Sequence, residues 1–296
     1  MIYKYLILTI FIEVTIYEYI YLNDIRKYYF NDEDNANSNS NLNNNVTLVT
    51  AYYKIKSKHS YDEYLEWMKN LLKVNRSLVI YGDKSTINIT KDFRPKKYHN
   101  KTIWIEREMK DFYTFKNFEK EFNDTYKLDI EKFRHTVSLY HVWAEKCKFL
   151  EEVVKNNYFN TKCFYWVDIG YFRNPKLAKN YTNWPSTNKC LKDPRVIFNH
   201  MRKFYSKEII FFKKLNINYY RIFMRKYNVA GNIFGGQAEY IKNFSNIYYN
   251  TIKLFAKNKM FIGKDQNLFA YIALLNPKLV KLVYSRNWGY FYDYLK

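Results

Sequence analysis

The segment from Val46 to Tyr81 constrains the fold more than any other part of the chain. Val46-Thr-Leu-Val-Thr-Ala-Tyr52 is short and β-branched, which reads as a buried strand. Ser60-Tyr-Asp-Glu63 then has the form of a capping box, in which Ser60 accepts from the Glu63 amide while the Glu63 carboxylate reaches back. Tyr64, Leu65, Met68, Leu71 and Leu72 follow at helical spacing, and Ser77-Leu-Val-Ile-Tyr81 reads as a second strand ending at Gly82 and Asp83. Strand, helix and strand at this length predict a right-handed βαβ unit with parallel strands. Both carboxyl ends then lie on one edge, where open α/β sheets collect ligands. Tyr52, Tyr53 and Asp83 are expected to line a crevice there.

A later strand aims an acid at the same edge. In Phe164-Tyr-Trp-Val-Asp-Ile-Gly-Tyr-Phe-Arg173 an apolar run stops at Asp168, followed by Gly170 and Arg173. Asp168 can meet a metal ion or a polarised substrate, Gly170 lets backbone come close, and Arg173 offers planar donors to a phosphate. A strand followed by a polar turn with a surface ion pair accounts for the same residues without any function.

The rest of the chain alternates in the same way. Lys101 to Ile105 and Arg195 to Phe198 read as strands, and Phe112 to Phe122 and Tyr140 to Val154 as helices. On the second helix Lys146 sits among charged residues that flank an apolar face. Arg202 to Arg225 shows no clear period. Three of only 7 glycines, Gly231, Gly235 and Gly236, fall within Asn228 to Glu239. They are expected either to bring backbone close to a sugar or phosphate, with positive φ allowed, or to form a strand-to-helix turn. A long helix is expected from Gln237 to Phe255 and another from Gly263-Lys-Asp265-Gln266 through Leu274. Asp265, at the amino end of the latter, can cap exposed amides or serve in catalysis.

The first 30 residues are apolar and aromatic, but Glu13 and Glu18 interrupt them, and a carboxylate at mid-bilayer costs roughly 2.5 to 3.5 kcal/mol. Residues 1–30 read as a marginal signal-anchor, or as an amphipathic or core helix. Residues 31–45 read as an Asn-rich linker, and 46–296 as the folded domain. That plan fits a membrane-associated, single-pass type II protein of a secretory compartment. The formal charge of +21 suits anionic ligands, and a basic nucleic-acid-binding protein is the alternative from another class. Aromatics and basics spread through every segment, presumed core strands included, which speaks against a nucleic-acid surface. Cys147, Cys163 and Cys190 have no zinc spacing; three buried thiols are expected, with one disulfide and a free thiol as the alternative.

Val49-Thr-Ala-Tyr52, Tyr64-Leu-Glu-Trp67, Val142-Trp-Ala-Glu-Lys146, Trp166-Val-Asp-Ile-Gly-Tyr-Phe-Arg173, Gly231 to Gly236 and Asp265-Gln266 together resemble the HtrL/YibB-like proteins, a group classed with WlaTC-type glycosyltransferases. The resemblance implies a GT-A-like domain, an α/β doubly wound and mostly parallel sheet flanked by helices. It implies transfer of a sugar from a nucleotide-diphospho-sugar to a glycan, lipid or protein acceptor; a non-catalytic glycan-binding relative is the variant reading. Asp168 resembles the metal-binding acid of an Asp-x-Asp element, with Gly170 where the second aspartate would stand, so Mn²⁺ or Mg²⁺ would have one protein carboxylate. Thr50, Tyr52, Asp83, Lys146, Arg173, Gly235 and Gly236 are the implied donor-binding residues. Asp265 and Glu239 are the candidate bases for an inverting transfer.

Overall fold

The computed structural model describes residues 45–176, 183–202, 204, 206–214, 229–285 and 288–296. Strands β1 (Val46–Tyr52), β2 (Ser77–Gly82), β3 (Thr102–Glu106), β4 (Cys163–Val167), β5 (Val196–His200), β6 (Val229–Gln237) and β7 (Val280–Tyr284) form one sheet in the order β3-β2-β1-β4-β6-β5-β7. All neighbours are parallel except β6, which runs antiparallel to both β4 and β5. This is the doubly wound, mostly parallel sheet flanked by helices that the resemblance implies. The chain leaves β1 toward β2 on one side, while β4 lies on the other, so the direction of winding reverses between β1 and β4. Crevices form at such a switch point, outside the strand carboxyl ends.

Helix α1 (Tyr61–Leu71) starts at the expected capping box: the Glu63 amide donates to Ser60 Oγ at 3.2 Å and the Ser60 amide donates to Glu63 Oε2 at 2.8 Å. With α2 (Lys84–Phe93) it covers one face of the sheet, packing Met68, Leu71 and Ile87 on Leu48, Tyr165 and Val167. The other face carries α3 (Tyr113–Tyr126), α4 (Val137–Asn156), α7 (Ala238–Lys257) and α8 (Asp265–Leu275), which cover Val49, Ala51 and Trp166. Shorter helices α5 (Asn188–Lys192), α6 (Ser206–Lys213) and α9 (Trp288–Tyr294) complete the described residues. Helix α6 lies inside the stretch whose period gave no assignment. Alternation along β1 and β4 thus feeds two cores, as burial on both faces requires.

The aromatic abundance is spent inside. Tyr81, Tyr140, Tyr165, Tyr248, Phe149 and Phe164 are all below 2% exposed, so these rings fill volume instead of presenting faces to bases. Arg94 is buried too, and stabilises the sheet edge by donating to the carbonyls of Leu72, Val74 and Arg76. Glu145 on α4 caps α3 from outside, accepting from the amides of Tyr113 at 2.7 Å and Thr114 at 2.9 Å, since α3 has no side-chain cap of its own.

Three expectations are corrected. The glycine segment Gly231 to Gly236 is not a loop or a turn but the interior of β6, and none of the described glycines has positive φ. Cys163 and Cys190 form a disulfide and only Cys147 is a free, buried thiol, so the reading of three thiols fails and the alternative of one disulfide and a free thiol holds: the start of β4 and helix α5 are brought together by tertiary packing that spacing does not show. Among the described residues no helix is long and apolar enough to cross a membrane, so the single-pass type II assignment is not supported. The proposed signal-anchor at 1–30 and all but the last residue of the Asn-rich linker lie outside the described residues.

Two outcomes follow from this scaffold. Closing a loop across a sequence separation of 27 restricts the unfolded chain, so reduction should lower the unfolding free energy by about 3 kcal/mol in urea titrations run with and without reductant. Burial pushes the Glu145 carboxyl up from 4.5 to about 7, against its two amide donors. A raised folded pKa gives a contribution that is complete below 4.5 and lost as pH rises through 7. The stability of the wild type minus that of Glu145→Gln should therefore fall across this window, measured by denaturant midpoints at a series of pH values.

Candidate active site

The site is organised around one buried ammonium. Helix α4 crosses beneath the carboxyl end of β4 and directs Lys146, 4% exposed, toward Asp168, the residue that follows the strand. Lys146 Nζ lies 3.0 Å from Asp168 Oδ1, 3.1 Å from Asp265 Oδ2, and donates to the Gly231 carbonyl at 2.9 Å. The ammonium thus makes one hydrogen bond and two close ion-pair contacts, and Asp265 Oδ2 is held by charge without a hydrogen bond among the described residues. Burial alone pushes the Lys146 pKa down, but Asp168 and Asp265 more than reverse this and hold it above its ordinary value. Lysine therefore stays charged, and two carboxylates around one ammonium leave a formal excess of one negative charge.

Asp168 is fixed on one side and open on the other. Its Oδ1 accepts from the Trp166 indole N–H at 2.7 Å as well as facing Lys146, and its amide donates to the Asn232 carbonyl at 2.8 Å. Among the described residues Oδ2 accepts no hydrogen bond, and the side chain is 37% exposed. Asn232 Oδ1, buried beside it, also has no partner among the described residues. The first residues of β6 belong to the site because the strand runs antiparallel: Val167 pairs with Ile233, so Asn232 and Gly231 come level with Asp168.

That register separates the two ends of the glycine segment. Gly235 pairs with Tyr165 and Gly236 with Phe164, about 10 Å or more down the sheet from Asp168 at the strand rise. Glu239, exposed in the first turn of α7, lies beyond them at the same far end. Neither the two glycines nor Glu239 is brought to the crevice. The glycine that matters is Gly231, where a Cβ would stand 2.6 Å from Asp265 Oδ2. Asp265 itself is 3% exposed in the first residue of α8, and its Oδ1 accepts from the Gln266 amide at 2.8 Å. Burial raises its pKa, against the pull of Lys146. Its place is behind Lys146, where it holds the ammonium and does not face the crevice.

On the α1 side the crevice has an aromatic wall. Tyr52, at the end of β1, lies against Tyr61 and Tyr64, with ring centroids 6.4 and 5.3 Å away. Tyr64 feels the charges of Asp168 and Arg173, and His59 sits edge-on to Trp67 at 4.8 Å. The Arg173 guanidinium lies over the Trp67 ring at 4.5 Å, with the side chain exposed. Gly170 permits this approach, since a Cβ there would stand 2.9 Å from the Trp67 ring, which also leaves no room for a second aspartate. Asp83 caps α2, accepting from the Thr86 amide at 2.8 Å and Ser85 Oγ at 2.7 Å, at the end of β2 beside Tyr52 and away from Lys146 and Asp168. Thr50 is buried within β1, its hydroxyl without a partner among the described residues. His59, Tyr61 and Asn232 were missed by sequence reasoning. The three-residue spacing of Tyr61, Tyr64 and Trp67, one ridge of a helix, was the available signal.

Among the described residues no three His, Cys, Asp or Glu side chains gather as a metal cage. The one free carboxylate oxygen of Asp168, beside a net negative charge, does fit a Mn²⁺ or Mg²⁺ ion that takes most of its shell from phosphate and water.

The profile of a family described as a bacterial protein of unknown function, HtrL/YibB, matches residues 44–296. The chain belongs to the HtrL/YibB family. Among curated proteins none matches it. Solved structures similar to this HtrL/YibB chain include core-mannan synthase A from Aspergillus fumigatus in its Mn/GDP form, at 12% identity and a TM-score of 0.41, covering 86% of this chain and 75% of that one. A 4-diphosphocytidyl-2C-methyl-D-erythritol synthase from Anaerococcus prevotii is similar at 10% identity and a TM-score of 0.37, covering 86% of this chain and 96% of that one. The PaToxG glycosyltransferase is similar at 10% identity and 0.31, over 79% and 73%. Such values describe the chain path in outline only.

In this HtrL/YibB protein the contact between Gly231 and Asp265 is open to a direct check. Gly231→Ala should cost about 1–3 kcal/mol of stability through overpacking. The cost should shrink when Asp265→Ala removes the carboxylate it strikes, a coupling read from a double-mutant cycle of urea unfolding energies.

Proposed function

We propose that the protein is a glycosyltransferase that takes its sugar from a nucleotide-diphospho-sugar bound at the β1/β4 switch point. One observation carries the reading: Asp168 follows β4 at that switch point with one oxygen fixed by Lys146 and Trp166 and the other without a hydrogen bond among the described residues. A carboxylate oriented beforehand by buried donors loses little on meeting a charged ligand. The aromatic wall of Tyr52, Tyr64 and Trp67 suits a flat base or the apolar face of a sugar ring. Arg173, held over Trp67, can turn planar donors toward a diphosphate, and the unpaired Asn232 Oδ1 can accept from a sugar hydroxyl.

Asp168 Oδ2 would hold Mn²⁺ or Mg²⁺ together with diphosphate oxygens and water. When bound, the ion supplies positive charge to a leaving diphosphate. The chain's own part is to orient and to exclude water. Lys146 keeps the Asp168 carboxylate in one rotamer, and Asp265 with the Gly231 carbonyl keeps Lys146 there. We therefore assign Asp265 a positioning role in place of that of a base. The acceptor is a glycan or glycolipid hydroxyl.

The test is ligand-dependent stability. With Mn²⁺ present, the matching sugar nucleotide at 100 times its Kd should raise the unfolding free energy by about 2.7 kcal/mol. Asp168→Asn should abolish both this gain and donor hydrolysis while keeping the fold, whereas Lys146→Met should lower basal stability by about 3–5 kcal/mol by leaving two carboxylates unpaired. Full donor hydrolysis in Asp168→Asn would remove the proposal.

A further inference from the structure

We propose that the turn at residues 127–134 is a binding lip for an acidic saccharide, which makes an anionic glycan the acceptor class of this enzyme. The sequence Lys127-Leu-Asp-Ile-Glu-Lys-Phe-Arg134 mixes charges, but the fold sorts them by direction. Both acids turn inward. Asp129 accepts from the Tyr140 hydroxyl at 2.5 Å, from His135 Nδ1 at 2.7 Å and from the Glu131 amide at 2.8 Å, and Glu131 pairs with Lys264. Lys127, Lys132 and Arg134 face outward, exposed, and none has a carboxylate partner among the described residues. Between them stand two of the four exposed large hydrophobics among the described residues, Ile130 and Phe133, the latter 68% exposed with the Arg134 guanidinium over one face of its ring.

This turn is braced, so it offers a fixed surface. Tyr126 donates its hydroxyl to the Lys132 and His135 carbonyls, and the Asp129 network ties the turn to the start of α4. Single exposed apolar residues need no explanation, but an exposed phenyl ring with Arg134 over one face, Lys132 next to it in the chain and Lys127 on the same braced turn presents a stacking platform and anion donors together. The apolar C–H face of a sugar ring stacks on such a platform, and its carboxylate or phosphate meets the cations. Two apolar side chains are too small a patch for a stable protein interface. The turn is also tied to the buried ion group of the site: Glu131 holds Lys264, whose neighbour in the chain is Asp265, the partner of Lys146.

Calling this saccharide an acceptor rests on the transferase reading; binding of the saccharide does not. The full chain is titrated calorimetrically with a galacturonic acid pentamer and with maltopentaose, at low and high salt. The acidic pentamer should bind at least about tenfold more tightly, a preference that weakens with salt. Phe133→Ser, and separately Lys132→Ser with Arg134→Ser, should each reduce its affinity about tenfold at an unchanged thermal midpoint, because these side chains are exposed. Asp168→Asn should keep pentamer binding while losing the sugar nucleotide. Equal affinity for the two saccharides, or unaltered affinity in both lip variants, overturns the proposal. So does preferential binding to phosphatidylglycerol vesicles that is lost in the same variants, which would make the turn a lipid contact. Pentamer binding without binding of any sugar nucleotide upholds the lip and removes the transferase reading instead.

Discussion

The structure depends on keeping one ammonium ion charged in a place where water cannot reach it. A lone lysine at that depth would lose its proton, because burial penalises the charged form. Lys146 keeps it because two carboxylates and a carbonyl arrive from three separate elements, α8, the end of β4 and the start of β6. Each of those elements is thereby located relative to the others. A buried ion group of this kind is weak evidence for stability, since apolar replacements of similar volume are often as stable. Its value lies in orientation: it leaves Asp168 with one oxygen engaged and the other without a hydrogen bond among the described residues, on a partly exposed side chain.

The position of that crevice is a property of the sheet. Reversal of winding between β1 and β4 parts the connecting segments and opens a gap above two adjacent strand ends. Aromatic residues from α1 fill one side of it, because the capping box at Ser60 sets where the helix begins and hence which ridge faces Tyr52. The antiparallel β6 supplies the other side. Since it enters the sheet at the edge that carries Asp168, the start of the strand, and not its glycine pair, becomes part of the site.

Sequence patterns served best where the physics is local. The β1-α1-β2 unit, the capping box and the strand ending at Asp168 follow from periodicity, cap chemistry and the handedness of crossovers, and the structure has each of them. They failed where the deciding contact is distant. Gly231 to Gly236 has the composition of a loop, and only pairing with β4 and β5 turns it into a strand. Asp265 at a helix start looks like a cap or a base, and only Lys146, far away in sequence, makes it a buried counter-ion. Cys163 and Cys190 show no spacing that announces their bond.

The chain by itself therefore determined an α/β sheet with an acid at the end of a central strand, and the edge on which that acid stands. Strand propensity, helix amphipathicity and right-handed crossovers are properties of short segments and need no partner to be read. Tertiary structure alone decided the reversed direction of β6, the ion group around Lys146, the removal of Glu239, Gly235 and Gly236 from the crevice, and the inward turn of the acids at 127–134. Each of these depends on which side chains meet across long separations, and charge, burial and packing at a meeting point are fixed only when all its partners are in place.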